Sequence, residues 1–125
     1  MANVVASGGP LPGPMVTCVP AGAWTDPAVG NLVIRSTGAN NEVSECTDGQ
    51  LPYGIVRAVS IGLDVLTVEA FKSGCIARLL HDTVALGDAV SADATKGAGY
   101  VDTDGAGVGL VIALDVPSGY ADVEF

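Results

Sequence analysis

His81 is the only imidazole in the chain, and it stands beside Asp82 in the run LLHDTV. Nucleophilic catalysis would need that ring next to a hydroxyl or thiol held in a strained turn. No serine lies in such a context, so a surface or turn histidine is the expected role. Asp102-Thr103-Asp104-Gly105 opens like a calcium loop. The remaining ligands fail, because Ala106, Gly107 and Leu110 to Ala113 stand where further oxygens and a bidentate glutamate are needed. A hairpin turn is the expected structure there. Gly105-Ala106-Gly107-Val108-Gly109 is glycine-rich like a phosphate loop. It leads into a β-branched strand, with no helix N-terminus to hold an anion and no P-loop lysine.

The other reactive side chains fare no better. Cys18, Cys46 and Cys75 are widely spaced, form no CxxC pair and have one histidine for company. No zinc pattern follows, and buried thiols in a reducing compartment are expected. Asp122 and Glu124 share one face of a terminal strand, which predicts a solvated edge. The expectation is therefore a protein that is not an enzyme, with no catalytic, metal or cofactor residues.

The elements that could carry a function are strands. The chain has 125 residues, enough for one domain with a sizeable core. It holds 17 glycines and 7 prolines, which predict many turns and little room for long helices. Apolar residues make up 49% and charged ones only 15%, with a mean hydropathy of +0.47. That balance suits a compact all-β module with aliphatic surface left for oligomerisation. The net charge of −9 argues against direct nucleic-acid binding, since phosphate recognition needs clustered basic groups. Only Arg35, Arg57, Lys72, Arg78 and Lys96 are basic, and they are scattered. No apolar run is long enough to span a membrane, and MANVVASGG lacks the marks of a signal peptide. A soluble protein folded in a cytoplasm is expected.

Residues 1–17 are read as an extended N-terminal arm and 18–125 as the β-barrel-like domain. Ser7 to Pro14, SGGPLPGP, allows neither a helix nor a ladder strand. The first charge is Asp26, and an uncharged apolar arm suits lying on another subunit as well as a loose tail does. Strands are expected at Met15–Val19, Leu32–Arg35, Glu42–Cys46, Tyr53–Ile61 and Asp64–Phe71, with Asp48-Gly49 a hairpin-type turn and the last two strands forming one hairpin. Gly74–Asp82 has apolar residues at helical spacing, but the turns bounding it favour a strand. Ala89–Ala92 and the stretch Tyr100–Phe125 complete the set. In its long strand, Leu110, Ile112 and Leu114 share one face with Val108 and Val116, opposite Gly109, Val111 and Ala113. Glycine-led turns at Gly30, Gly62, Gly87 and Gly119 fall in two pairs, each 32 residues apart, which hints at two similar halves.

The order AVGNLVIRS, a polar insert, YGIVRAVS, DVLTVEAFKSGCIARLL, TVALGDAVSAD, GYVDTDGAGVGLVIALD and YADVEF resembles the tailed-phage capsid decoration, or cement, proteins. The likeness covers residues 24–125 and rests most on Gly87–Val90 and on Gly109–Phe125. It implies a small β-barrel or β-tulip-like single domain, a homotrimer, bound to the outside of the head where major capsid subunits meet. Implied partners are the major capsid protein and other copies of the chain, with no nucleic acid, no membrane and no cofactor. The implied location is the virion, after assembly in a host cytoplasm. Leu11, Pro12, Met15 and Trp24 are the candidate capsid contacts, on the arm's missing charge and its Pro/Gly stiffness. The alternative is a β-barrel of a phage tail or fibre, or a carbohydrate-binding module.

Overall fold

The computed structural model describes residues 11–60, 62, 64–94, 97, 99–103, 109–115 and 117–125. Ten strands run in chain order: β1 (Met15–Pro20), β2 (Leu32–Arg35), β3 (Glu42–Glu45), β4 (Gly54–Val59), β5 (Leu66–Ala70), β6 (Ile76–His81), β7 (Ala89–Ala92), β8 (Tyr100–Asp102), β9 (Gly109–Asp115) and β10 (Tyr120–Glu124). No helix occurs among the described residues. The ambiguous segment after Gly74 is a strand, with Cys75, Ala77 and Leu79 buried on one side as period-2 alternation requires.

The strands close into two barrels of five, in the orders β1-β3-β2-β4-β5 and β10-β6-β8-β7-β9. These are one topology used twice, with β1 to β5 corresponding in turn to β6 to β10. Each barrel has a single parallel pair, β1 with β3 and β6 with β8. Each has a bulge in its last hairpin, at Arg57 on β4 and at Ile112 on β9. The turn before the second strand is also repeated. Ala28 N–H donates to Asn31 Oδ1 at 2.9 Å, and Ala85 N–H to Asp88 Oδ2 at 2.7 Å. Gly30 and Gly87, with φ of 95° and 85°, hold the left-handed position. Gly30 N–H then bonds the Val56 carbonyl and Gly87 N–H the Val111 carbonyl. The two halves hinted at by the glycine turns are the two barrels, 57 residues apart at these positions.

The barrel interiors carry valine at four matching positions. Val33, Val43, Val56 and Val68 are buried in the first, and Val90, Val101, Val111 and Val123 in the second. The remaining cross-strand pair differs but balances. Cys18 opposes Leu66 in one barrel, whereas Leu79 opposes Ala121 in the other. A small residue faces leucine in both, with the strands exchanged.

Three expectations are corrected. The strands flanking Asp48-Gly49 are not a hairpin, because β2 lies between β3 and β4. Likewise β8 pairs with β6 and β7, not with β9, while Asp104 to Val108 lie outside the described residues. Asp122 is not on a solvated edge: β10 is paired on both sides, and the carboxylate accepts hydrogen bonds from Arg78. Barrel closure leaves no edge to guard.

Gln50, Leu32, Cys46 and Ile55 join the halves. Ala92 N–H donates to the Gln50 carbonyl, and Gly49 N–H to the Ala92 carbonyl. Leu32, Cys46 and Ile55 of the first barrel pack in one cluster with the second barrel's interior. Phe71 stacks on Phe125 at 4.3 Å and closes the same seam.

Candidate functional site

A cleft of about 330 Å³ lies between the barrels. Val29, Gly30, Ile55 and Arg57 form its first-barrel wall, facing Arg78, Leu79, Leu80, Gly99 and Tyr120. Its two cations are each held by a carboxylate. Arg57 Nε lies 2.8 Å from Glu69 Oε1. Arg78 is bidentate on Asp122, at 2.9 Å from Nε and 3.3 Å from the terminal nitrogen. The hydrogen bond and charge of Asp122 push the Arg78 guanidinium further above its ordinary range, so it stays charged. Two neutralised guanidinium groups among aliphatic side chains suit a neutral, partly apolar contact better than a free anion.

Glu69 lies on the outward face of β5, yet it is only 2% exposed. The arm explains this. Gly13 N–H donates to Glu69 Oε2 at 3.1 Å, the Pro14 carbonyl accepts from Ala70 N–H, and the Leu11 carbonyl accepts from Ile76 N–H. A Cβ at Gly13 would coincide with the Ala70 carbonyl oxygen, so only glycine passes so close. Residues 11–14 thus bridge the two barrels of their own chain, and residues 15–17 belong to β1. Periodicity alone could not reveal this, since it depends on a non-local crossing.

Of the four candidate contact residues, Leu11, Pro12 and Met15 are exposed along one continuous stretch. Trp24 is apart from them, half-buried against the first barrel's core, with its Nε1 buried and unpartnered. Residues 1–10 of the arm lie outside the described residues. His81 ends β6 with both ring nitrogens buried and without a hydrogen-bond partner among the described residues. Asp48, Asp93 and Asp102 bring carboxylate oxygens within 4.8 Å of one another where the β3–β4 loop meets the second barrel. All three are at least partly open to solvent, and the carboxylates alone do not define a cation site.

The three cysteines are free and buried. Burial, helped by the charge of Glu45, pushes the Cys46 thiol up to about 12 from its ordinary 9.0. Once unfolded, the thiol ionises near pH 9, while the folded one keeps its proton. Its stabilising contribution is therefore complete below pH 9 and lost as the pH rises towards 12, at no more than about 1.4 kcal/mol per pH unit. Melting curves from pH 8 to 11 should show Cys46→Ala losing less stability with pH than the parent. Equal slopes would contradict the assignment.

No protein-family model, curated protein or solved structure matches this chain.

Proposed function

We propose that this chain is a structural virion protein, a homotrimeric cement protein that binds the outer surface of a tailed-phage head between major capsid subunits. The observation that carries this reading is the strip of exposed Leu11, Pro12 and Met15 on a backbone already bonded to both barrels. A contact strip fixed in advance loses little conformational freedom on docking. Apolar side chains on a rigid, acidic body suit a protein that must stay soluble until it meets a shell.

Stabilisation works by linkage. A ligand that binds only the assembled shell favours that state by RT ln(1 + [L]/Kd), roughly 2.7 kcal/mol per site at a hundredfold excess. Three copies joined in one trimer bind with avidity, so each contact can be modest. The half-buried setting of Trp24 offers no open aromatic platform, which weighs against the carbohydrate-binding alternative.

Deleting residues 11–14 would also uncover Glu69, so surface substitutions are the cleaner test. Leu11→Asp with Pro12→Asp should lower co-sedimentation with capsids about tenfold while leaving melting temperature and oligomeric mass unchanged. Full binding by this variant would remove the arm from the contact.

A further inference from the structure

We infer that Leu86, Leu110 and Ile112 on the second barrel form a head-to-tail docking face for the first barrel of another copy of this chain. The internal repeat points to it. By strand register, Leu86, Gly87, Ala89, Leu110 and Ile112 occupy the positions of Val29, Gly30, Leu32, Ile55 and Arg57.

In the first barrel these positions are already in use. Leu32 and Ile55 are packed in the seam, and Val29, Gly30, Ile55 and Arg57 line the cleft against β6 and Tyr120 of the second barrel. The backbones meet closely there, since a Cβ on Gly99 would lie 2.6 Å from the Gly30 carbonyl oxygen. Ile55 is 4% exposed as a result, whereas its counterpart Leu110 is 43% exposed; Val29 and its counterpart Leu86 are equally open, at 63%. Ala89, the counterpart of fully buried Leu32, is also exposed. The Leu32 and Ile55 positions are covered in one barrel, and their counterparts Ala89 and Leu110 are open in the other.

The receiving face is also present twice. Arg78, Leu80 and Tyr120 correspond to Thr17, Val19 and Val65 of the first barrel. Thr17 and Val65 are exposed and Val19 is half-buried, so that face is open. Asn41 stands where Gly99 does, so its Cβ holds the arriving copy's Gly87 carbonyl farther off than Gly30 sits from Gly99 within the chain. Between copies the two arginines of the internal cleft are replaced by Ile112 and Thr17, which leaves a more apolar contact.

A contact between two different faces is heterologous, so it closes into a ring or runs on as a filament. Three chains in a ring would place six barrels in sequence. This docking does not depend on the capsid reading, and the protein alone tests it.

The experiment measures mass by size-exclusion chromatography with light scattering, with circular dichroism to confirm folding. The parent should be an oligomer, and both Leu110→Arg and Val65→Arg should be folded monomers. Mixed in equal amounts, the two variants retain one intact donor face and one intact receiving face, so they should form a dimer and nothing larger. A monomeric parent, an oligomeric single variant, or a mixture that stays monomeric would each overturn the inference.

Discussion

Leu66→Ala should destabilise the protein by about 3 kcal/mol, and adding Cys18→Leu should return most of that loss. Leu66 is fully buried and its neighbour across the β1–β5 pair is Cys18. Truncation removes transfer energy and leaves a cavity, typically about 2–5 kcal/mol for leucine. Cys18→Leu alone overfills the same space, at about 1–3 kcal/mol. The double variant reproduces the Leu79–Ala121 pair that already fills the second barrel. It should fall within about 1 kcal/mol of the parent, a coupling of about 3 kcal/mol or more, at or above the upper end of what contacting residues show. Denaturant midpoints at constant m-value read it directly. Simple addition of the two single losses would mean that the barrels are alike in topology but not in packing.

Gly54→Ala should cost about 3 kcal/mol, more than Gly109→Ala, although the two glycines are counterparts. At Gly54 a Cβ would collide with the Glu69 carbonyl oxygen and lie 2.8 Å from Val68 Cγ1. Backbone cannot step aside without breaking the β4–β5 ladder, so the strain is large. At Gly109 the nearest atoms are Val123 Cγ1 at 2.5 Å and Phe125 Cε1 at 2.9 Å. Those are side chains near the C-terminus, and they can repack. Thermal melts of both variants check the order. A Gly54→Ala protein as stable as Gly109→Ala would contradict the register of the first hairpin.

The alternation of Leu66, Val68 and Ala70, and of Ala121 and Val123, makes the strands legible in the sequence. Glycine-led turns at Gly30 and Gly87 carry the duplication as well. Strand order is not legible there. Asp48-Gly49 has hairpin chemistry, yet β2 intervenes between the strands it joins. Local turn preference fixes a backbone shape but not which strand arrives beside it. The outer face of β9 escapes the apolar pattern for a related reason. Gly109 and Val111 point into the barrel, leaving Leu110 and Ile112 outside. The bulge at Ile112 then reverses the alternation, which turns Leu114 towards the core. A bulge leaves no mark in a strand's apolar pattern.

The candidate contacts divide in the same way. Leu11, Pro12 and Met15 stand out by their uncharged surroundings, and their side chains are exposed. Trp24 stands out only by type, and it is half-buried on the first barrel's core. The cleft arginines cannot be assigned partners from spacing, because Arg57 with Glu69 and Arg78 with Asp122 are brought together by cross-strand and bulge geometry. The repeated face at Leu110 takes its meaning only from comparison of the two barrels.

Electron cryomicroscopy of native particles tests the proposed role most directly. Paired-barrel density is expected on the outer head lattice, at the junctions between major capsid subunits. Density of this shape on the tail, with a bare head lattice, would contradict that role.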